Sequence, residues 1–242
     1  MSHPTRRVLT AGAAALAATA LAGCSGSGRS LPFAGDLFRG PLFGGGRRPE
    51  GRTVGRPDYA RVYARIDGER HPVPAFRYAS LDPDVLRREV AYRGPGEPGT
   101  LVVDPAACAL YHVGRGGVAT RYGVGVGRDG FVWSGEARVN MKRDWPDWVP
   151  PREMVAREPG LRADLEQTPR GLGVPGGPRS PLGARAMYLF DGGGDTGYRI
   201  HGTTEPETVG THVSSGCIRM VNQDVIHLYH RTPEGAKVLV LR

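Results

Sequence analysis

Apolar and polar positions alternate in short runs over most of the chain, and helix-like periodicity is confined to a few places. Thr100–Asp104 and Cys108–Val113 read as strands around a Pro105-Ala106-Ala107 turn, and Val118–Val126 follows the break at Arg115-Gly116-Gly117. Glu136–Met141, Ala184–Phe190, Tyr198–His201 and Lys237–Leu241 add four more strand-like segments. Upstream, Tyr59–Tyr78 alternates loosely around Asp67-Gly68 and predicts a short hairpin. Ser80-Leu81-Asp82-Pro83-Asp84 then predicts the cap of a brief helix through Glu89-Val90. Two further helices are expected. Pro151–Glu158 opens with proline in its first turn, and Asn222–His230 has Asn222 as N-cap, Asp224 in the first turn and Val225, Ile226 and Tyr229 on one side. Many short strands punctuated by glycine argue for a sandwich or barrel-like sheet over a doubly wound α/β fold, so the expected class is mainly β with a few short helices.

The breaks in this pattern divide the chain. Residues 1–24 carry Arg6-Arg7-Val8-Leu9, a modest apolar run and the exit Leu21-Ala22-Gly23-Cys24, the outline of a secretory signal. The arginine pair resembles a twin-arginine export signal, and Leu-Ala-Gly-Cys resembles a bacterial lipobox that would acylate Cys24. The apolar run is too short and too alanine-rich for a membrane-spanning helix. Residues 25–57, rich in Gly, Pro and Arg without periodicity, read as a flexible tether. Residues 58–97 form a short strand/helix segment expected to pack on the main domain, and the breaker run Gly94-Pro95-Gly96-Glu97-Pro98-Gly99 leads into that domain at 98–242. An anchored protein on the periplasmic side of the cell envelope is the expected location, with Ser25 after the cysteine favouring the outer membrane in a diderm.

Composition narrows the picture. Gly (37) and Pro (21) are abundant in the 242 residues, as a turn-rich β protein requires, and three cysteines rule out a disulfide-stapled scaffold. The net charge of +8 is concentrated in the first 60 residues, and the folded remainder is only +3. No basic stripe for nucleic acid is expected.

Chemistry gathers in Tyr198-Arg199-Ile200-His201-Gly202-Thr203-Thr204-Glu205 and Val213-Ser214-Ser215-Gly216-Cys217-Ile218-Arg219-Met220. His201 ends an apolar strand, where its imidazole stands at a sheet edge. The small residues around Cys217 let the backbone N–H groups of Ser215, Gly216 and Cys217 point at a common spot, as an oxyanion hole requires. Arg219 would add positive potential, bind a carboxylate or brace the turn. Two plainer readings stay open on spacing alone. Cys217 could be a buried apolar residue, and His201, His212 and Cys217 could hold zinc, although no usual ligand spacing is matched and no fourth ligand is evident. His112, His227 and His230 are assigned structural, helix or surface roles.

His201-Gly202-Thr203, sixteen residues before the cysteine of Ser214-Ser215-Gly216-Cys217-Ile218-Arg219-Met220, resembles the signature of the YkuD-type L,D-transpeptidases (the ErfK/YbiS/YcfS/YnhG-like catalytic domain). Asn222-Gln223-Asp224-Val225, Gly235-Ala236-Lys237-Val238, the strand pair around Val102-Val103-Asp104-Pro105 and Arg121–Gly127 extend the likeness over residues 98–242. Two departures stand out: Ser215 replaces the histidine that many members carry before Gly-Cys, and Gly130-Phe131-Val132-Trp133-Ser134-Gly135 replaces a Thr-Pro-x-Gly segment.

The resemblance implies a β-sandwich or barrel-like catalytic domain and acyl transfer through a thioester. Cys217 would be the nucleophile, His201 its base, the Gly202 carbonyl would orient the imidazole, and peptidoglycan stem peptides would be the substrate. Ser214, Arg219, Trp145 and Trp148 are the expected substrate contacts, the tryptophans as a wall or lid over the donor groove, with a packed loop on aromatic anchors as the equal alternative. No metal and no cofactor are implied. The acceptor would be an amine, giving a 3→3 cross-link, or water, giving an L,D-carboxypeptidase, or a lysine of an anchored protein. A monomer tied to a membrane through its lipid is the expected state, with a non-catalytic wall-binding lipoprotein as the rival reading. Cys108 is expected in a strand as a buried thiol.

Overall fold

A computed structural model describes residues 50–128 and 133–242. The expected signal peptide 1–24 with Cys24, most of the 25–57 tether and Gly130-Phe131-Val132 lie outside the described residues.

The elements run β1 (Glu50–Gly55), α1 (Tyr59–Val62), β2 (Arg88–Tyr92), β3 (Leu101–Asp104), β4 (Ala109–Val113), β5 (Val118–Gly123), β6 (Val126–Gly127), β7 (Gly135–Asp144), α2 (Arg152–Arg157), β8 (Glu166–Thr168), β9 (Gly171–Gly173), β10 (Arg185–Asp191), β11 (Gly194–His201), β12 (His212–Ser214), β13 (Ile218–Arg219), α3 (Asn222–Arg231) and β14 (Lys237–Val240). Ten strands form one sheet in the order β1-β2-β5-β4-β3-β14-β7-β10-β11-β13; β6 pairs with β12 and β8 with β9. The fold is mainly β with short helices, as the alternation predicts.

The sheet curls on itself. Leu110 and Tyr122 from one half share a single buried cluster with Met187, Ile200 and Ile218 from the other, and Val225 and Leu228 of α3 fill it. Reciprocal backbone hydrogen bonds between Gly125 and Arg219, 2.8 and 2.9 Å, close the curl by joining the end of β5 to β13. All four residues of β3 are buried because both faces are covered: Leu101 and Val103 face the α3 side, while Val102 packs with Ala109, Tyr111 and Leu239 on the other.

The segment before the main domain departs from the sequence pattern. Glu50–Gly55, at the end of the expected tether, pairs antiparallel with β2 and gives that strand a hydrogen-bonding neighbour. Tyr59–Val62 is a helical turn, with Asp58 Oδ1 accepting from the Ala60 N–H at 3.0 Å, and only the Ile66–Val73 bridge remains of the hairpin. The helix expected through Glu89-Val90 is a single 3-10 turn at Pro83–Val85, after which Arg88–Tyr92 is a strand. Pairing with β5 and the alternate burial of Arg88, Val90 and Tyr92 override the local cap. A buried polar knot ties this segment down: the Tyr63 hydroxyl donates to Asp224 Oδ2 at 3.0 Å and accepts from the Arg87 N–H at 2.9 Å.

Helix α3 begins one residue earlier than its sequence suggests. Val221 is the N-cap, and the Asn222 side chain turns away to other partners. At the far end Lys142 Nζ donates to the carbonyls of Tyr229 and Thr232, at 2.7 and 2.6 Å, satisfying the orphan acceptors with a cation at the negative end of the dipole.

Candidate active site

Strand register brings His201 and Cys217 together. β11 pairs in parallel with β13, Ile200 opposite Ile218 and His201 opposite Arg219. One step back along both strands, Cys217 lies beside Arg199. Alternation along each strand therefore puts Arg199, His201, Cys217 and Arg219 on one face, opposite the buried Ile200 and Ile218.

The His201 ring is held by its own backbone. His201 is 4% exposed, and its Nδ1 lies 2.5 Å from the Gly202 carbonyl oxygen. A carbonyl only accepts, so Nδ1 carries the proton and Nε2 keeps its lone pair. Burial lowers the imidazole pKa to about 4, helped by Arg219 and Arg199 and opposed by the Gly202 hydrogen bond. Burial pushes the Cys217 thiol up, while the Arg199 N–H facing the sulfur and the charges of Arg199 and Arg219 pull it down. The resting pair is a neutral thiol beside a neutral imidazole.

Asn222 sets the loop that orients His201, a role the sequence did not disclose. Its Oδ1 accepts from the Ala184 N–H at 2.9 Å, and its Nδ2 donates to the Thr203 carbonyl at 2.9 Å. A Cβ on Gly202 would stand 2.1 Å from Asn222 Oδ1, and one on Gly183, at φ +61°, only 2.3 Å from it. Glycine is required at both positions by this close approach.

The cysteine turn is shaped by Ser214. Its buried hydroxyl accepts from the Gly216 N–H at 3.0 Å and donates to the Cys217 carbonyl at 2.7 Å, and Gly216 adopts φ +118°. Ser214 is therefore an internal brace and does not face substrate as expected. The Gly216 N–H of the expected oxyanion trio is already engaged by Ser214. Arg219 is held by Glu205 Oε2 at 2.8 Å, the bracing role among those its position offered.

The tryptophans do not form the expected wall. Trp145, 4% exposed, packs with Val73, Ala184 and Ile226 and meets His71 edge-on at 5.0 Å between ring centroids, so it anchors the return loop in the core. Trp148 is half-buried and bridges Val174 through backbone hydrogen bonds. Beside the site the buried Tyr188 pairs with Arg199 across β10 and β11. The Arg199 guanidinium sits 4.3 Å from the Tyr188 ring centroid and the exposed Arg170 at 5.2 Å, with Arg170 donating to the Tyr188 hydroxyl at 3.2 Å.

The zinc trio is not assembled: the His212 ring lies against Cys108, Nδ1 3.7 Å from its sulfur. Cys108 is a free, buried thiol one residue before β4 at φ +44°, and Cys217 is also free. Among the described residues no group of three or more His, Cys, Asp or Glu is arranged to hold a metal.

Comparison with known proteins agrees with this geometry. The probable L,D-transpeptidase YbiS of Escherichia coli is 32% identical over 143 residues, 57% of this chain and 43% of that protein. The putative L,D-transpeptidase YqjB of Bacillus subtilis is 51% identical over 67 residues, 27% of this chain and 38% of that one. The chain thus spans less than half the length of these relatives. A solved chain from Brucella melitensis, described as a probable carnitine operon oxidoreductase, is 44% identical with a TM-score of 0.43 over 67% of this chain and 97% of that one; its name concerns that protein alone. The model of the YkuD family, the L,D-transpeptidase catalytic domain, matches residues 98–240, which include His201, Cys217 and Asn222, and the chain belongs to that family.

Proposed function

We propose that the protein is a cysteine acyltransferase that takes the stem tetrapeptide of peptidoglycan onto Cys217 and passes it to an amine, forming a 3→3 cross-link. The observation that carries this reading is the tautomer fixed by Gly202, which leaves His201 Nε2 as a lone-pair base on the face that also bears Cys217. His201 takes the thiol proton as sulfur attacks the carbonyl of the third stem residue. The Ser215 and Cys217 N–H groups receive the oxyanion, the bond to terminal D-Ala breaks, and the imidazolium returns its proton to that leaving amine. The acceptor amine then attacks the thioester, and Cys217 leaves and is reprotonated. The exposed Arg170 guanidinium on Tyr188 gives the donor side a positive charge suited to a carboxylate of a stem peptide, whereas Arg199 is already paired with Asp195 at 2.7 and 2.8 Å.

The reading includes export through the Arg6-Arg7 signal and lipid attachment at Cys24, placing the enzyme at the cell envelope as a monomer. Among the described residues no helix is long and apolar enough to cross a membrane.

Muropeptide analysis after incubating stem tetrapeptides with wild type and Cys217→Ala tests the proposal. Cross-linked dimer and free D-Ala from wild type alone support it. Tripeptide with no dimer makes water the acceptor, and identical products from both proteins overturn it. Metabolic palmitate labelling that is lost in Cys24→Ala tests the anchor, and persistent labelling overturns it.

A further inference from the structure

Away from Cys217, between β2 and the C-terminal half of α3, lies a cavity of about 340 Å³ lined by four arginines from three parts of the chain. Arg56 comes from the loop after β1, Arg87 and Arg88 from the entry to β2, and Arg231 from the end of α3. Thr120 and His227 add neutral polar groups, and Glu89, on the exposed side of β2, is the only carboxylate of the lining. Asn222 at the start of α3 serves the catalytic loop, whereas Arg231 lies about 14 Å further along the helix axis.

Arg87 distinguishes this cavity from a merely basic surface. It is 6% exposed, and its Nη1 is buried with no hydrogen-bond partner among the described residues. Its carboxylate neighbour, Asp224, is 3.5 Å from Nε, too far for a close hydrogen bond, and Asp224 does not meet Nη1. Arg231 spends one N–H on the His227 carbonyl at 3.1 Å. His227 registers the resulting potential. Its Nδ1 lies 2.7 Å from the Tyr122 hydroxyl, and burial followed by the charges of Arg87 and Arg231 drives its pKa down to about 3. A buried guanidinium donor left unpaired is costly, and Arg87 lines the cavity in which an anion would sit.

We propose that this cavity binds a phosphate group, as an ester carried on a small polar molecule or on a phospholipid headgroup. A carboxylate is matched by one guanidinium fork, whereas a phosphate offers three oxygens and up to two charges to donors converging from different elements. The volume exceeds that of a bare anion and leaves space for the esterified group.

The test uses the full chain. Inorganic phosphate, glycerol phosphate and phosphatidylglycerol vesicles are titrated against it, with acetate as control, by calorimetry or flotation and by the ring resonances of His227. Binding is expected to be saturable, to exceed that of acetate and to raise the His227 pKa. The exposed pair Arg56→Gln/Arg231→Gln should weaken it by about ten- to a hundredfold while the melting temperature holds. Arg87→Lys provides a second variant that keeps the charge opposite Asp224 and should weaken binding while retaining the fold. Binding of soluble phosphates identifies a free ester as the source, and binding of vesicles alone identifies a headgroup; either supports the site. No saturable binding of any probe, equal affinity for acetate, or unchanged affinity in both variants overturns it.

Discussion

Protonating His201 should cost the folded protein on the order of 3 kcal/mol, and acylation of Cys217 should therefore lose its base only near pH 4. The imidazole moves from its ordinary 6.5 to about 4, and each pH unit corresponds to about 1.4 kcal/mol. Burial is the main cause. The nearby Arg219 and Arg199 charges add to it, and the Gly202 carbonyl, which would welcome a second ring proton no better than the first, offsets only part. The sign is fixed by linkage: the unfolded chain binds the proton more tightly, so this stabilisation is present above about pH 6.5 and is lost as pH falls through about 4.

The same numbers determine the chemistry at neutral pH. The thiol is pushed up while the imidazole is pushed down, so proton transfer must accompany attack and no thiolate–imidazolium pair awaits the substrate. Three measurements check this. The His201 ring resonances should titrate near pH 4, alkylation of Cys217 by iodoacetamide should be slow at pH 7 and climb steeply in the alkaline range, and thiolate absorbance near 240 nm should be absent at pH 7. For acylation by a stem tetrapeptide, kcat/KM should stay flat from about pH 5 to 8. A thiolate band at pH 7 that disappears near pH 6, together with an acid limb of kcat/KM at the same pH, would refute the neutral-pair argument and restore a preformed ion pair.

Three substitutions probe the parts around that pair. Ser214→Ala removes the brace of the cysteine turn and should lower kcat by about tenfold or more, with KM held, as expected for loosened oxyanion donors; unchanged kcat would mean the turn keeps its shape unaided. Asn222→Ala strips partners from the Ala184 N–H and the Thr203 carbonyl, so it should destabilise the fold by about 1–3 kcal/mol in denaturant melts. Because the loop that carries the Gly202 carbonyl is then loosened and that hydrogen bond favours the protonated ring, the variant should also shift the His201 titration downward, which a purely structural role would not do. Arg170→Ala takes away an exposed guanidinium that bonds the Tyr188 hydroxyl, and it should raise KM for the tetrapeptide about threefold to tenfold while leaving kcat and melting temperature alone.

What the sequence disclosed and what it hid follow from where each signal is stored. Strands were legible because a period of two is written residue by residue, and β3, β4, β10 and β14 fall within a residue of their expected bounds. His201 and Cys217 were legible because imidazole and thiol are chemically distinctive side chains in a glycine-rich setting. Asn222 was not, since an asparagine before an apolar helix reads as a cap, and nothing local shows that Val221 takes that place while the amide reaches Ala184 and Thr203. Its role left a trace in a pair of glycines, Gly183 and Gly202, whose shared cause is one oxygen atom in a third segment. The Trp145 error has the same origin: an aromatic in a proline-rich loop is compatible with a lid or an anchor, and only the contacts with Val73 and Ile226 decide.

The sixteen-residue gap between His201 and Cys217 shows why a motif can be readable while its support is not. The two residues meet through β11 and β13, a parallel pairing of only two residue pairs, with the Gly125–Arg219 bridge holding the other edge of β13. Everything between them leaves the sheet: a 3-10 turn at Pro206–Thr208 and then β12, which pairs with β6. The excursion is free to change composition so long as its ends return to the same register, since the geometry of the pair is set by backbone hydrogen bonds and not by the intervening side chains. Arg219 gives that register a side-chain hold. Its Glu205 partner sits near the start of the excursion, so this ion pair joins the exit from β11 to the return on β13. At the surface such a pair contributes little to stability, and its value lies in fixing where Cys217 begins its turn.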